Sequence, residues 1–165
     1  MDTITTFAKS ISFPGLLEFD KFIDSSIIYL AILIVLIIVG ESRNEKRLKL
    51  FLAIIFAFLA ATLLKNFFIH ERPCTDESWC PEGYSFPSSH ATLAFALMAG
   101  FLNKKSFIWY LLFALLIGFS RMNFGVHIFL DIAGALPVGL LSYYIIDLIW
   151  PKIDLFLKPK IDNSS

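Results

Sequence analysis

The chain has 165 residues, of which 57% are hydrophobic and only 17% are charged. A soluble domain carries about 25% charged residues, so this composition excludes an ordinary water-soluble fold, and it also excludes a disordered or collagen-like chain. The 14 basic and 14 acidic side chains balance to a formal net charge of zero, which offers no bulk attraction for nucleic acid.

Residues 1–24 predict one or two short amphipathic helices that lie on the outer membrane surface. Phe7, Phe19 and Phe22 alternate there with charged side chains, and Pro14 followed by Gly15 breaks the pattern. A distorted sixth span is the alternative. The start of the chain lacks the basic segment of a cleavable signal peptide, so we expect it to remain in the mature protein.

Five apolar stretches follow, and they predict an all-α integral-membrane bundle of about five transmembrane helices. A helix needs about 20 residues to cross a bilayer core of about 30 Å, so the shorter stretches must carry polar ends below the headgroup level. We predict one membrane domain over residues 1–165, with the bundle at 25–150 and a cytoplasmic tail at 151–165. The stretches cover residues 25–40, 48–64, 88–102, 106–120 and 127–150.

The orientation in the membrane follows from the basic residues between these stretches. They concentrate between stretches one and two, between three and four, and after stretch five, which predicts that these segments face the cytoplasm. The connections at 65–87 and 121–126 then face the periplasm or exterior from the inner (plasma) membrane. Cys74 and Cys80 lie in the first of them, where an oxidising compartment permits a disulfide, with two free thiols as the alternative. The basic residues are Arg43, Lys46, Arg47, Lys49, Lys104, Lys105, Lys152, Lys158 and Lys160.

Helix parity brings an unusual set of polar residues to the outer face. The end of stretch two, the start of three, the end of four and the start of five must share one side. A helix bundle needs none of these residues for packing, and each costs on the order of several kcal/mol if left unpaired in hydrocarbon. An anion bound among the three cations is the simplest compensation. The set is Lys65, Arg72, Ser88, Ser89, His90, Ser120, Arg121, His127 and Asp131.

Two of these residues form a pair that suits nucleophilic chemistry. His127 and Asp131 are four residues apart, so on a helix the carboxylate can accept the imidazole N–H and fix its tautomer. The other ring nitrogen then has a free lone pair, as a nucleophile or base requires. A pair that merely bridges two helices is one alternative. A zinc site with His90 and His70 is another, although the neighbouring cations disfavour a divalent metal.

The sequence Pro87-Ser88-Ser89-His90 is typical of a helix start, with Ser88 as the N-cap. The free N–H groups of a helix N-terminus, two hydroxyls and nearby guanidinium groups can hold a phosphate. His90 would then be placed to protonate a leaving oxygen. An ordinary helix cap is the alternative.

The ordered motifs Lys65-x6-Arg72-Pro73, Pro87-Ser88-Ser89-His90 and Ser120-Arg121-x5-His127-x3-Asp131 resemble the signature of the type 2 phosphatidic acid phosphatase superfamily of membrane lipid phosphatases. The resemblance implies a two-step phosphoryl transfer without a metal or other cofactor. His127 would be the nucleophile, Asp131 would orient it, and His90 would transfer protons. Ser89 stands where the family usually has Gly, and a helical φ at Ser89 avoids strain. The implied phosphate-binding residues are Lys65, Arg72, Ser88, Ser89 and Arg121.

We therefore expect a lipid phosphatase that acts at the outer leaflet. Its substrates would be phosphate monoesters or diphosphates of envelope lipids, such as a polyprenyl diphosphate, lipid A 1-phosphate, phosphatidylglycerol phosphate or phosphatidate. We expect the bilayer and the lipid phosphate as partners, without nucleic acid or an obligate protein partner. A non-catalytic lipid-phosphate binding or transport protein is the first alternative, and a haloperoxidase-type activity is the second. Solvated loop positions are expected for His70, Glu71, Asp76, Glu77 and Glu82.

Overall fold

A computed structural model describes residues 2–11 and 14–157, and within these ranges it contains seven α-helices and no strand. The all-α prediction is confirmed. Two short N-terminal helices precede five apolar helices that lie at the five predicted stretches. The helices are α1 (Thr3–Ser10), α2 (Pro14–Asp24), α3 (Ser26–Gly40), α4 (Asn44–Phe68), α5 (Ser89–Ala99), α6 (Phe107–Asn123) and α7 (Phe129–Leu157).

Helix α5 forms the centre of the bundle. All of its residues from Ala91 to Ala99 are buried, and it contacts α3, α4, α6 and α7. Small side chains allow the close approach: a Cβ added to Gly139 of α7 would lie 2.6 Å from the carbonyl oxygen of Thr92 and 2.8 Å from the amide nitrogen of Ala96. Tight packing of small residues is how helices associate where lipid removes the hydrophobic driving force.

Helix lengths differ widely across the bundle. By length and composition, α4 and α7 are each long and apolar enough to cross a membrane. The last part of α2 (Glu18–Asp24) and α3 together make a third candidate, bent by 89° at the break between them. Helix α5 has 11 residues, so it is about 16 Å long and covers about half of a bilayer core. Helix α5 is thus too short to span a bilayer core by itself, and the position of its polar end below the headgroup level stays a prediction.

Several predicted boundaries are wrong at the helix ends. Helix α7 continues through Pro151 to Leu157, so residues 151–157 of the predicted tail are helical. Helix α6 extends to Asn123 and thus includes Arg121 in its last turn. The remaining part of the predicted tail, with Lys158 and Lys160, lies outside the described residues.

The two N-terminal helices pack against the bundle. Helix α1 contacts α6, and α2 contacts α3 and α6. Ala8, Asp20 and Ile23 are buried in these contacts, whereas Phe7 and Phe22 remain more than half exposed. An exposed apolar face beside a buried one is compatible with a position at the membrane surface, which stays a prediction.

The end of the bundle away from the predicted site carries a separate ionic cluster. Glu41, which caps α3, accepts a hydrogen bond from Lys104 at 2.8 Å and another from the backbone N–H of Arg43 at 3.0 Å. Burial opposes ionisation of Glu41, but these hydrogen bonds outweigh it and lower the pKa to about 2. Lys49 pairs with Asp147 at the same end, at 2.5 Å. The basic connections therefore share one end, as helix parity predicts.

Candidate active site

The three sequence motifs meet at the opposite end of the bundle. Lys65 lies in the last turn of α4, and Arg72 follows in the loop. Between them, Ile69 adopts a left-handed conformation with φ of 51°, which is uncommon for a β-branched residue and turns the chain back over the bundle. His90 lies in the first turn of α5 and Arg121 in the last turn of α6. Each motif is thus held at the end of a packed helix.

These motifs surround one cavity of about 440 Å³. Its polar wall combines six of the predicted residues: Lys65, Arg72, Ser89, His90, Arg121 and His127. Its other wall is largely apolar and comes from α3, α4 and α5, with Tyr29, Leu30, Ile54, Ile55, Phe58 and Leu93. A cavity that is polar at one end and apolar at the other suits an amphipathic ligand.

The His127–Asp131 pair forms, but not on a helix face. His127 lies two residues before Phe129, the first residue of α7, so the predicted helical position of His127 is wrong. Its Nδ1 lies 3.0 Å from Asp131 Oδ2, which also accepts the backbone N–H of Ile128 at 3.1 Å. Asp131 therefore holds both the start of α7 and the imidazole ring.

The ionisation state of His127 suits a nucleophile. Burial lowers the pKa of His127 to about 3, although the hydrogen bond that His127 donates to Asp131 acts in the opposite direction. The ring is therefore neutral at neutral pH, with its proton on Nδ1 and a lone pair on Nε2. Arg72 Nη1 lies 3.5 Å from that Nε2, so a guanidinium group already faces the atom that would attack.

The cation of Arg121 is enclosed almost completely by protein. Its side chain is 2% exposed, and its Nη2 donates to Asp24 Oδ1 at 2.7 Å. The buried Nε and Nη1 atoms have no hydrogen-bond partner among the described residues. Charged N–H donors without acceptors are suited to bind the oxygens of an anion such as phosphate.

Backbone carbonyls orient the other two cations. Lys65 Nζ donates to the carbonyl oxygens of Tyr84 and Ser85 at 2.6 and 3.0 Å. Arg72 donates through Nε to the Gly83 carbonyl at 3.1 Å, and through Nη1 to the Val126 carbonyl at 3.3 Å. Neutral acceptors fix these side chains without cancelling their charge, so both cations remain available to an anion.

The second motif begins α5 as predicted. Ser88 is the N-cap, but its buried Oγ makes no capping hydrogen bond and has no partner among the residues described. Its backbone N–H donates to the Asp131 carbonyl at 3.1 Å. Ser89 is the first helical residue and does not have a positive φ, so the departure from Gly introduces no backbone strain.

His90 is held by the first helices of the chain. Its Nε2 donates to the carbonyl of Ile23 in α2, at 3.1 Å. The Tyr29 hydroxyl donates to the His90 carbonyl at 2.7 Å, and the two rings are 4.5 Å apart. The ring that we predict to transfer protons is thus oriented from two sides.

Helix α2 contributes acidic residues that the sequence analysis did not place at the site. Asp24 lines the cavity and pairs with Arg121, and Asp20 accepts a short hydrogen bond from the neighbouring Ser120. The sequence did contain a signal for these contacts. Asp20 and Asp24 are four residues apart and so lie on one face of an amphipathic helix, and their partners Ser120 and Arg121 are adjacent in α6. That match becomes visible only when α2 is known to pack on α6.

His70 lies in the loop and is exposed, as predicted, but its ring also makes contacts that the sequence analysis did not predict. His70 Nδ1 lies 2.7 Å from Ser85 Oγ and 3.6 Å from Asp131 Oδ1, although 45% of the side chain is exposed. The other loop acids named with it, Glu71, Asp76, Glu77 and Glu82, are exposed as expected. In the described part of the chain, no three His, Cys, Asp or Glu side chains group as a metal site requires.

The loop between α4 and α5 contains a disulfide. Cys74 and Cys80 are bonded, with their Cα atoms 5.5 Å apart, so of the two predicted alternatives the bridge is the one observed. Cys74 is two residues beyond Arg72 and is buried. The bridge therefore closes a small loop next to a cation of the cavity.

The sequence profile of the PAP2 superfamily matches residues 46–153, which contain all three motifs. The chain belongs to the PAP2 superfamily. This confirms the resemblance that the motifs indicated.

Individual relatives agree with this assignment. The chain is 39% identical over 80 residues to undecaprenyl-diphosphatase BcrC of Bacillus subtilis (strain 168), a match that covers 45% of the chain. The match spans only 42% of that relative's length.

Two solved structures share the fold. LpxE of Aquifex aeolicus superimposes with a TM-score of 0.70 and 27% identity, covering 88% of this chain and 93% of that one. A transmembrane PAP2-type phosphatidylglycerolphosphate phosphatase from Bacillus subtilis superimposes with a TM-score of 0.65 and 25% identity, covering 95% and 85%. The second of these is described as transmembrane, which agrees with the apolar helices of this chain.

Proposed function

We propose that this PAP2 protein is a phosphatase that hydrolyses lipid phosphates through a phosphohistidine intermediate. The observation that carries the proposal is the buried Arg121 guanidinium, whose Nε and Nη1 lack partners in the described structure, in a cavity shared with Lys65, Arg72, His90 and His127. Charged donors aimed into a partly buried cavity stabilise an anion most when its charge develops during reaction. The apolar wall of the same cavity would receive the first part of a lipid chain.

In the first step, His127 Nε2 attacks the phosphorus atom, and the bond between phosphorus and the lipid oxygen breaks. His90 donates a proton to that oxygen, so the lipid leaves as an alcohol or, from a diphosphate, as a monophosphate. Lys65, Arg72 and Arg121 bind the three other phosphate oxygens. Most of the catalysis in phosphoryl transfer comes from such positioning and charge stabilisation.

In the second step, water hydrolyses the phosphohistidine. His90, now neutral, accepts a proton from the water as its oxygen bonds to phosphorus. The bond between phosphorus and Nε2 breaks, the electron pair returns to His127, and inorganic phosphate leaves. The imidazole develops positive charge when it is phosphorylated, and the adjacent Asp131 carboxylate stabilises that charge.

The substrate class follows from the cavity and from the relatives. The relatives include an undecaprenyl-diphosphatase and a phosphatidylglycerolphosphate phosphatase, which act on different lipid phosphates. We infer that this protein acts on envelope lipids such as polyprenyl diphosphates, lipid A 1-phosphate, phosphatidylglycerol phosphate or phosphatidate. We place its site at the periplasmic or exterior side of the membrane, since the basic connections lie at the other end of the bundle.

A substrate panel with purified protein tests this proposal. Phosphate release is measured for each lipid phosphate and for a water-soluble phosphate monoester, with and without EDTA. We expect the lipids to be hydrolysed in preference, with EDTA having no effect and His127→Ala abolishing release. Lys105→Gln is a matched control, because it removes an exposed cation from the other end of the bundle. Equal activity of His127→Ala and the native protein, or reversible loss with EDTA, would contradict the mechanism.

A further inference from the structure

The carboxylate of Asp131 is contacted on both of its oxygens. The oxygen Oδ2 faces His127 and the backbone N–H of Ile128, whereas Oδ1 faces the Ser85 hydroxyl at 3.3 Å and His70 Nδ1 at 3.6 Å. We propose that Ser85 and His70 are positioning residues that act through Asp131 on the nucleophile. This inference rests on the proposed function, because it concerns the residue that orients His127.

Because the Asp131 carboxylate is completely buried, its Oδ1 needs a hydrogen-bond donor from the protein. Asp131 and Ser85 are both fully buried, so water cannot satisfy Oδ1. A buried carboxylate oxygen without a donor is costly, and a carboxylate held on one side only is free to rotate. A donor on Oδ1 fixes the plane of the carboxylate and keeps Oδ2 directed at the Nδ1–H of His127.

The Ser85 hydroxyl has one proton to donate, and His70 affects which acceptor receives it. The Ser85 hydroxyl lies 3.1 Å from the carbonyls of His70 and Glu71, 3.3 Å from Asp131 Oδ1 and 2.7 Å from His70 Nδ1. If Nδ1 of His70 lacks a proton, it competes with Asp131 for the hydroxyl hydrogen. If Nδ1 carries a proton, it donates to Ser85 Oγ, and the hydroxyl is free to donate to the charged acceptor. A donor at the position of His70 Nδ1 therefore directs the Ser85 proton towards Asp131.

Neither side chain is among the described residues that line the cavity. Changing these side chains should therefore leave the substrate contacts in place. Lys65 contacts Ser85 only at its backbone carbonyl, which a side-chain substitution does not remove. The expected effect falls on kcat, because the orientation of His127 matters for attack on phosphorus. A purely structural role in the loop would instead displace Arg72 and Lys65 and raise KM.

The test combines side-chain removal with a double-mutant cycle. Ser85→Ala is expected to lower kcat about tenfold, the usual effect of losing a hydrogen bond to a charged group, with KM changed less than about twofold. In an Asp131→Asn background the same change should lower kcat less than about twofold, because its effect passes through Asp131. Equal losses in both backgrounds, or a loss confined to KM, would overturn the inference.

His70 provides a second pair of variants at an exposed position, which guards against misfolding of Ser85→Ala. His70→Ala should lower kcat several-fold, and His70→Asn should restore most of it, because the asparagine amide can place an N–H near the position of Nδ1. His70→Gln is the matched control, since its amide reaches the position of Nε2 instead. Identical activity of the alanine and asparagine variants would contradict the proposed donor role.

Chemical modification of His127 separates this inference from the proposed function. The rate of carbethoxylation by diethyl pyrocarbonate reports the reactivity of the Nε2 lone pair and requires no turnover. Mass spectrometry distinguishes His127 from His70, which lie on separate peptides. We expect His70→Ala and Ser85→Ala to change the rate at His127 several-fold, with His70→Asn close to the native rate. An unchanged rate in both variants rejects the inference even if the native protein hydrolyses lipids. A changed rate with no lipid hydrolysis rejects only the proposed function.

Discussion

At the scale of single residues, Arg121 is a buried cation that is only partly satisfied by its protein partners. Its guanidinium group is 2% exposed and keeps its charge in proteins, so it needs acceptors on every side. Asp24 supplies one of them, and Nε and Nη1 face no acceptor in the described structure. We infer that a substrate phosphate supplies the missing acceptors of Arg121.

Replacing Arg121 with Lys tests the need for two donors in a plane. Lysine keeps the charge but offers a compact ammonium group, which cannot bind two phosphate oxygens side by side. We expect Arg121→Lys to lower kcat/KM by about 10²-fold or more, a loss typical of a transition-state donor, while Lys105→Gln has no effect. The measurement is steady-state hydrolysis of one lipid phosphate. Full activity in Arg121→Lys would show that charge alone is sufficient.

At the scale of helices, α2 contributes to the candidate active site from outside the three motifs. Its C-terminal residues contact two of the helices that carry motif residues: the Ile23 carbonyl accepts from His90 of α5, while Asp20 and Asp24 accept from Ser120 and Arg121 of α6. The carboxylate of Asp24 occupies a donor that could also bind phosphate. We therefore expect α2 both to orient the cation and to compete with a phosphate for it.

The competition gives a prediction for Asp24→Asn. An amide cannot match a carboxylate as an acceptor for guanidinium, so the change should make inorganic phosphate a stronger inhibitor, with its inhibition constant falling several-fold. Asp20→Asn is the matched control, because Asp20 contacts Ser120 and is not among the described residues that line the cavity. If Asp24→Asn instead weakens inhibition by phosphate, then Asp24 serves to hold Arg121 in place and does not compete.

The contact between α5 and α7 gives a prediction about stability. Alanine at position 139 would bring its Cβ within 3.0 Å of backbone atoms of α5, which cannot move aside as a flexible side chain can. We expect Gly139→Ala to lower the free energy of unfolding by about 1–3 kcal/mol, the usual cost of overpacking. Thermal unfolding in detergent measures it, with Gly15→Ala as the control because a Cβ there meets nothing within 4 Å. Equal midpoints for the two variants would contradict this packing.

At the scale of the whole molecule, the sequence predicted which motif residues lie together better than it predicted the residues around them. Residues such as His127, Asp131 and Arg121 were found because motif spacing and helix parity bring them together. Asp24 and Ser85 were missed because their contacts join positions 97 and 46 residues apart, and no spacing along the chain encodes such contacts. The extent of α7 was missed because the predicted apolar stretch ends at residue 150, whereas the helix continues through Pro151 to Leu157.

The disulfide connects the predicted orientation of the whole molecule to its activity. The Cys74–Cys80 bridge is expected to persist only if its loop faces an oxidising compartment. Its loss should loosen the loop that carries Arg72 and raise KM several-fold with little change in kcat. The double variant Cys74→Ser, Cys80→Ser and the reduced native protein should behave alike in a phosphate-release assay. Free thiols in protein isolated from intact cells would contradict the predicted sidedness.

The central claim is that His127 carries the phosphoryl group between the two half-reactions. The most direct measurement is rapid acid-free quenching of the native protein with a lipid phosphate labelled with ³²P, followed by identification of the modified residue by mass spectrometry. The account predicts acid-labile, base-stable label on Nε2 of His127, none in His127→Ala, and an increased amount where hydrolysis is slowed. Turnover with no label on His127, or label on a different residue, would contradict it.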